Sequence, residues 1–314
     1  MRFAMMGTGG VGGVFGARLA EAGEDVTFIA RGSHLQAIKQ NGLRIVSDKT
    51  HELLIKPAQA TADPGEIGPV DYVFLSVKLW DTEAVAPLLK PMIAQNTAII
   101  SLQNGIEKDD ILHRHYDPHN IVGGVAYVAS FIMQPGVIEQ RGTRQKLVFG
   151  EFSGIQSERL LKLAEACQRA HIKAVVSDDI KRDLWEKFVV LIAMSAVTSA
   201  TRMTIGNVRS EPFSRELLID AMREAAMIAK ARGIKVSDDI VDKQMEYLDS
   251  LAPEVSSSMH HDIEHGNRLE LPWLSGMVVE LGRKLDVPTP ANKALVGVLM
   301  PHAMGRQSHV AVKS

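Results

Sequence analysis

Three glycines near the amino terminus have the spacing of a phosphate-binding turn. Gly7, Gly9 and Gly12 form the pattern G-x-G-x-x-G, which follows an apolar run, 2–6, and precedes a helical pattern that starts at Val14. In such a turn the first glycine makes the tight bend, the second admits a pyrophosphate close to the backbone, and the third allows close helix packing. The helix N-terminus adds free N–H groups and a positive dipole end. The sequence therefore predicts a dinucleotide site formed by Gly7, Thr8, Gly9, Gly10, Val11 and Gly12.

Arg31 indicates which dinucleotide this site would take. It follows the second apolar run, 26–30, where an acidic residue would hold the ribose 2′-hydroxyl of NAD. The stretch 31–34 contains no acid. An arginine can form a bidentate, charge-assisted pair with a 2′-phosphate, and Ser33 adds a hydroxyl donor. We therefore predict NADP as the cofactor, the alternative being that Arg31 is a solvated loop residue.

The composition excludes several classes of partner. The chain has 314 residues, 46% of them apolar, and a net charge of −2 without a long run of like charge, so we expect neither a nucleic-acid nor a membrane partner. The weakly polar run 188–200 is shorter than the roughly 18–20 residues that a membrane helix needs. The single cysteine, Cys167, excludes an internal disulfide and a multi-cysteine metal site, and its helical context predicts a buried side chain. We expect a cytoplasmic protein with a small-molecule substrate.

The pattern of apolar residues changes partway along the chain. Up to about residue 176, short apolar runs alternate with helical segments, which predicts a parallel sheet covered by helices. Gly136, between two further runs, indicates antiparallel pairing at one edge of that sheet. From Ser177 onward apolar residues recur every three or four positions. The predicted fold class is therefore α/β, with an N-terminal Rossmann-type dinucleotide-binding domain, 1–176, followed by an all-α C-terminal domain, 177–314.

Six helices are predicted in the second half. Ser237 and Ser258 are candidate N-caps, and Gly233 and Gly266 are candidate helix-ending residues. The predicted helices are 179–201, 213–232, 238–251, 258–265, 272–285 and 291–304. Because this half is so apolar, a homodimer is plausible.

Several short motifs occur in the order typical of one enzyme family. They are the glycine turn with Ala30-Arg31-Gly32, then Ser76-Val77-Lys78, Gln103-Asn104-Gly105, Trp185-Glu186-Lys187-Phe188, Ser257-Ser258-Met259, Glu270 and the stretch 287–292. Over nearly its full length the chain resembles the ketopantoate reductase (2-dehydropantoate 2-reductase) family. The resemblance implies an NADP-dependent oxidoreductase that reduces a 2-keto acid, 2-dehydropantoate, to pantoate in pantothenate biosynthesis.

The resemblance also implies roles for individual residues. Lys187 corresponds to the family's catalytic lysine, a general acid that protonates the carbonyl oxygen as hydride arrives, and Glu270 to the glutamate that orients the substrate. Asn104 aligns substrate and lysine beside the nicotinamide ribose. Lys78 corresponds to a lysine on the cofactor and substrate side, and Ser258 to a serine that contacts substrate. A cation that can give up a proton suits the negative charge that develops on a reduced carbonyl.

Each of these residues has a structural alternative. Lys187 borders an almost uncharged stretch, so its side chain either extends to the surface or lies in a cleft. Glu270 precedes a predicted helix start, where it could complement the helix dipole. Ser258 could be an N-cap, and Asn104 a turn residue. Against the last alternative, Lys78 and Asn104 both follow strands, and ligands of open α/β sheets bind at strand carboxyl ends.

The chain departs from the family on the helix that carries Lys187. The positions four and eight residues later are asparagines in the ketopantoate enzyme, but they are Leu191 and Ser195 here. We assign Ser195 to the predicted substrate site, since it shares a helix face with Lys187. Leucine removes hydrogen-bonding capacity that a hydroxylated substrate would use. A paralogous NADP-dependent hydroxy-acid dehydrogenase with another substrate therefore stays open.

Two functions of other classes are alternatives to a reductase. The stretch 261–265 fits H-x-x-E-H, a zinc metallopeptidase pattern, but Gly266 ends the helix and no third ligand is evident, so no metal is predicted. A non-catalytic NADPH-binding sensor would keep the fold without the chemistry. The presence of both Lys187 and Glu270 argues against it.

Overall fold

The computed structural model describes residues 1–306. The chain divides into two compact units, Met1–Asp183 and Leu184–Ser314. The division falls inside a helix.

The first unit is built on strands and short helices. Its strands are β1 (Arg2–Met6), β2 (Asp25–Ile29), β3 (Leu43–Ser47), β4 (Leu53–Ile55), β5 (Gln59–Thr61), β6 (Tyr72–Leu75), β7 (Ala98–Ser101), β8 (Ile121–Gln134), β9 (Val137–Gly150) and β10 (Lys173–Val176). Its helices are α1 (Gly10–Glu21), α2 (Gly32–Asn41), α3 (Thr82–Val85), α4 (Lys108–His113) and α5 (Glu158–Arg169).

The strands form one mixed sheet in the order β4-β3-β9-β8-β7-β6-β1-β2-β5, with β10 also paired to β9. Strands β5, β2, β1, β6, β7 and β8 are parallel, as the alternating pattern predicts. The β8–β9 pair is antiparallel, and the turn between the two strands contains Gly136 with φ +79°. The antiparallel pair was predicted at an edge of the sheet, and this position is wrong, because β3 and β10 both pair with β9.

Alternate residues of the central strands face two separate cores. Phe3 and Met5 of β1 belong to one apolar cluster, with Phe15 and Leu19 of α1. The intervening residues of β1 belong to the other cluster. Cys167 of α5 is fully buried in the first cluster, as predicted, and burial raises its pKa to about 12. Since the thiolate is the reactive form, this side chain is inert at neutral pH.

From Leu184 to residue 306 the structure describes helices and turns but no strand, so the predicted all-α half is confirmed. The helices are α6 (Ile180–Thr201), α7 (Ile205–Ser210), α8 (Pro212–Ala231), α9 (Ile240–Ser250), α10 (Ser258–His265), α11 (Ser275–Leu285) and α12 (Pro290–Leu299). Helix α7 was not predicted. The two predicted helices near the carboxyl end are shorter than expected because 3-10 turns, Leu271–Trp273 and Met300–His302, replace part of each.

Glu224 of α8 caps α12. Its carboxylate accepts hydrogen bonds from the backbone N–H groups of Ala291 at 2.6 Å and Asn292 at 2.9 Å, and from Asn292 Nδ2 at 2.7 Å. A buried negative charge at a helix N-terminus satisfies unpaired N–H groups and the positive dipole end together. The stretch 287–292, which contributed to the family resemblance, therefore has a structural role.

Helix α6 is long and apolar enough to cross a membrane by length and composition alone, the one such helix in the part of the chain that the structure describes. Of its most apolar window, 61% is buried inside the protein. That degree of burial is typical of a core helix.

Candidate active site

The glycine turn joins β1 to α1 and is fastened to the neighbouring strand β2. The backbone N–H groups of Gly7 and Thr8 donate to the carbonyl oxygen of Ile29 at 3.3 and 3.1 Å, and Thr8 Oγ1 donates to the same oxygen at 3.0 Å. Gly7 has φ +98°, a left-handed conformation that favours glycine. Helix α1 then begins at Gly10 with Gly9 as N-cap and without a side-chain cap.

The glycines of this turn differ in what a side chain would meet. A Cβ on Gly10 would lie 2.3 Å from the carbonyl oxygen of Ser130, and one on Gly12 would lie 2.2 Å from both Gly7 O and Ser76 Oγ. A Cβ on Gly9 meets no atom within 4 Å. Packing within the protein therefore explains Gly10 and Gly12 but not Gly9. An open cradle of backbone at a helix N-terminus fits the pyrophosphate of a dinucleotide.

His34 holds the turn in place, although no sequence pattern marks it as a site residue. Its Nδ1 accepts from the N–H of Gly136 at 3.0 Å, so the proton lies on Nε2, which donates to Thr8 O at 2.8 Å. Burial lowers the pKa of His34, which favours this neutral form. His34 of α2 thus connects the glycine turn to the β8–β9 turn.

Arg31 lies where the sequence predicts a reader of the 2′-phosphate. It is the extended N-cap residue of α2, directly after β2, and its side chain is 76% exposed. Its Nη2 is 3.5 Å from Oδ2 of Asp81, in the segment that follows β6. A carboxylate therefore accompanies this arginine, although none lies near it in the sequence. Asp81 lies close enough to Arg31 to compete with a phosphate for its guanidinium, and its carboxylate is also able to accept a hydrogen bond from a ribose hydroxyl.

Lys78 and Asn104 follow the carboxyl ends of the neighbouring parallel strands β6 and β7. The two loops are joined by Gln103, whose Nε2 donates to Val77 O at 2.9 Å and to Thr82 Oγ1 at 2.8 Å. Lys78 Nζ lies 5.6 Å from the centroid of the Trp80 ring. The structure thus places both predicted residues at the sheet edge where ligands of open α/β folds bind.

A buried charge pair supports the Asn104 loop. Lys108 is fully buried, and its Nζ donates to Ser101 O at 2.7 Å and Gly124 O at 3.0 Å, with Asp109 Oδ2 at 3.5 Å. Burial lowers the pKa of Lys108 and raises that of Asp109, and their mutual attraction opposes both shifts. Lys108 thereby fixes the backbone on both sides of Asn104 through β7 and β8.

In the second unit, Lys187 lies in the second turn of α6 and is half-buried. Its neighbours Trp185 and Phe188 are buried and meet edge to face, with ring centroids 5.5 Å apart. Ser195, two turns further along the face of Lys187, is only 1% exposed, and its Oγ has no hydrogen-bond partner in the described part of the chain. A buried hydroxyl without a partner is costly unless a bound molecule satisfies it.

The N-cap alternative for Ser258 is wrong. The cap of α10 is Ser257, whose Oγ accepts from the N–H of His260 at 3.0 Å and lies 2.9 Å from Thr198 Oγ1. Ser258 is the first helical residue, and its hydroxyl is not needed to start the helix. Ser237 is not an N-cap either, because the N-cap residue of α9 is Asp239. Gly233 and Gly266 do follow the ends of their helices, with φ +74° and +71°.

Glu270 is 7% exposed and precedes a 3-10 turn of three residues, Leu271–Trp273. So short a turn has little dipole for a carboxylate to complement, which weakens the structural alternative for Glu270. His261 and His265 of α10 stack with ring centroids 3.9 Å apart. Within residues 1–306 no group of three or more His, Cys, Asp or Glu side chains is arranged to hold a metal ion.

Comparison with known proteins gives consistent matches over both units. Residues 3–154 match the family ketopantoate reductase PanE/ApbA, and residues 179–303 match its C-terminal counterpart. A 2-dehydropantoate 2-reductase from Mesorhizobium japonicum is 30% identical, over 98% of this chain and 99% of that protein. The crystal structure of a 2-dehydropantoate 2-reductase from Geobacter metallireducens is 29% identical, with a TM-score of 0.89 over 96% of this chain and 99% of that one.

A further solved structure shares the fold alone. It is the ternary structure of D-mandelate dehydrogenase with NADH and anilino(oxo)acetate, 21% identical with a TM-score of 0.87, over 96% of this chain and 98% of that one.

Proposed function

This chain belongs to the ketopantoate reductase PanE/ApbA family, and we propose that it reduces 2-dehydropantoate to pantoate with NADPH in pantothenate biosynthesis. Members of the family are NAD(P)-dependent reductases. The observation that carries the proposal is the glycine turn in which Gly9 alone faces open space. Relatives named for this reaction match the chain over nearly its whole length, which supports the same conclusion.

The proposed chemistry divides between cofactor and protein. Bound at the turn, a nicotinamide dinucleotide supplies the hydride that carbonyl reduction needs. Lys187 donates a proton to the carbonyl oxygen as negative charge develops there. Glu270 accepts a hydrogen bond from the substrate and orients it, and Ser258 and Ser195 add hydroxyl contacts. Asn104 and Lys78 hold polar groups of cofactor and substrate at the sheet edge.

The proposed substrate site differs from that of the ketopantoate enzyme on the face of helix α6 that carries Lys187. Leu191 and Ser195 lie one and two helical turns beyond Lys187, and leucine offers no hydrogen bond to a substrate hydroxyl. A site without a hydrogen-bonding partner for a substrate hydroxyl discriminates poorly between a hydroxylated substrate and one that lacks the hydroxyl. The second candidate function is therefore an NADP-dependent hydroxy-acid dehydrogenase whose substrate is more apolar than pantoate.

Steady-state kinetics with a panel of 2-keto acids tests the assignment. We expect NADPH oxidation to be fastest with 2-dehydropantoate, with kcat/KM in the range of about 10⁴ M⁻¹s⁻¹ or above that is typical of enzymes on their own substrates. Faster turnover of a keto acid without the hydroxyl would favour the second candidate. NADPH binding without turnover of any keto acid would indicate a non-catalytic sensor and contradict both.

Arg31 and Asp81 provide the test of cofactor choice. Replacing Arg31 with alanine should lower kcat/KM for NADPH by about 10- to 100-fold, because a charge-assisted contact to phosphate is lost, and should leave NADH almost unchanged. Asp81→Asn should raise kcat/KM for NADPH by about two- to fivefold, since a carboxylate near the 2′-phosphate is removed. Arg44→Ala is the control, an exposed arginine with its own ion-pair partner, Glu52. An equal loss with both cofactors in Arg31→Ala would mean that Arg31 serves only the structure of α2.

A further inference from the structure

A cavity of about 500 Å³ lies in the first unit, and no residue of the glycine turn lines it. Its lining includes six basic or imidazole side chains, and these define what we call the basic cavity: Arg18, His51, Arg144, Lys146, His171 and Lys173. The lining contains no carboxylate. We propose that the basic cavity binds a small molecule that carries two or more phosphate groups.

The basic cavity is separate from the cofactor turn. Arg18 is in the last turn of α1, eight residues after Gly10, which places it about 12 Å along the helix from the turn. The other walls come from the β3–β4 connection, from β9 and from the α5–β10 connection. None of these segments contains a residue assigned to cofactor or substrate above.

Two lysines lie side by side on adjacent strands in this cavity. Lys146 of β9 and Lys173 of β10 are direct partners in the parallel pairing of the two strands. Like charges directly opposite each other on a sheet are destabilising. Arg144 and Lys146 also flank the Tyr127 ring, at 4.4 and 5.4 Å from its centroid, so a third positive charge lies close by. A bound polyanion would relieve this repulsion, whereas a monoanion would neutralise one charge alone.

Arg18 contributes a buried cation. It is 2% exposed, yet its Nε has no hydrogen-bond partner in the described part of the chain. Its Nη1 approaches His51 Nε2 at 2.8 Å and its Nη2 donates to Thr50 Oγ1 at 3.2 Å. The exposed carboxylate of Glu21, which is not part of the lining, lies 3.6 Å from Arg18 Nη1 and 3.2 Å from His51 Nε2. Arg18 thus places a fixed positive charge in the wall of the cavity, which favours an anionic ligand.

The backbone of β9 is shaped around the cavity. The β8–β9 pairing shifts between Tyr127 and Ala129, which leaves 142–145 as a bulge opposite a single residue of β8. Gly142 has φ +66°, and the fully buried Gln140 fastens the bulge through Gly142 O at 3.2 Å and Gln145 at 2.9 Å. Bulges redirect side chains and are common beside binding sites. This one presents Arg144 and Lys146 to the cavity.

The volume and the charge together set the ligand class. A cavity of 500 Å³ is in the range of small-molecule sites, and four Lys or Arg side chains match the three to four negative charges of a di- or triphosphate. Inorganic polyphosphates and nucleotides share this chemistry. Tripolyphosphate and ATP are therefore separate arms of the test, and citrate tests whether phosphate is preferred over carboxylate.

Calorimetric titration of these three compounds tests the proposal with matched variants. We expect K146Q/K173Q to weaken tripolyphosphate binding by about tenfold or more relative to wild type. The control K162Q/K243Q removes two lysines from exposed ion pairs on α5 and α9, at equal change in net charge, and should alter binding by less than about twofold. If ATP binds more tightly than tripolyphosphate, the ligand is a nucleotide. If tripolyphosphate binds more tightly than ATP, the ligand is an inorganic polyphosphate.

Several outcomes would overturn the proposal. The first is a dissociation constant above about 1 mM for both tripolyphosphate and ATP. The second is an equal loss of tripolyphosphate affinity in the two double variants. The third is a citrate affinity as high as that for the two phosphate compounds. Without ligand, the melting temperature of K146Q/K173Q should equal or exceed that of wild type, because repulsion is removed, so a folding defect does not obscure the result. NADPH affinity should be the same in both double variants, which keeps this test independent of the proposed reductase activity.

Discussion

Replacing Lys187 with alanine is expected to lower kcat for 2-dehydropantoate reduction by about 10²- to 10⁴-fold, the contribution typical of a positioned general acid. The affinity for NADPH should change little, because the glycine turn proposed to bind it lies in the first unit. Lys187 is half-buried on α6 and is not part of the buried core, so its truncation should cost less stability than that of the buried Trp185 or Phe188. Stopped-flow measurement of NADPH oxidation and a fluorescence titration of NADPH separate these two effects.

Two further variants distinguish proton donation from simple charge. Lys187→Arg keeps a cation but releases protons poorly, so it should remain impaired by at least about tenfold. Lys181→Ala removes an exposed lysine from the first turn of the same helix and should be as active as wild type. Unchanged kcat in Lys187→Ala would remove Lys187 from the catalytic role.

Much of the fold could be predicted because its signals are local. The glycine turn, β1 and the central strands are continuous apolar runs bounded by turn residues, and the helices of the second unit repeat every three or four residues. Strands β3, β4, β5 and β10 were missed because segments of three to five residues carry too little pattern. Their position is fixed by partners elsewhere, since β4 pairs with β3 and β5 with β2.

The site was predictable where a motif is contiguous and not where the structure brings distant residues together. Asp81 reaches Arg31 across fifty positions, and His34 contacts Gly136 across about a hundred, so neither contact has a local signal. The N-cap of α10 shows a finer limit. Ser256, Ser257 and Ser258 are three consecutive serines, and each could serve as the N-cap by residue type. Ser257 is the N-cap in the structure, and its hydroxyl also contacts Thr198, a residue far away in the sequence.

Replacing Gly9 with alanine should weaken NADPH binding while leaving the protein stable. A Cβ at this position meets no protein atom within 4 Å, so the melting temperature should stay within about 2 °C of wild type. The same methyl group would occupy space that a pyrophosphate needs beside the backbone of the turn. Steric overpacking costs about 1–3 kcal/mol, which corresponds to about 5- to 150-fold in affinity. Calorimetric titration of NADPH and a thermal melt of the same sample measure the two quantities.

Gly12→Ala is the matched contrast, because its Cβ would lie 2.2 Å from Gly7 O and from Ser76 Oγ. Those contacts are within the protein, so this variant should lose both stability and cofactor affinity, whereas Gly9→Ala should lose affinity alone. The difference between the two variants separates a glycine required by helix packing from one required by a ligand. If Gly9→Ala bound NADPH as tightly as wild type, the phosphates would not lie at the N-terminus of α1, and the cofactor site proposed for this family member would have to be placed elsewhere.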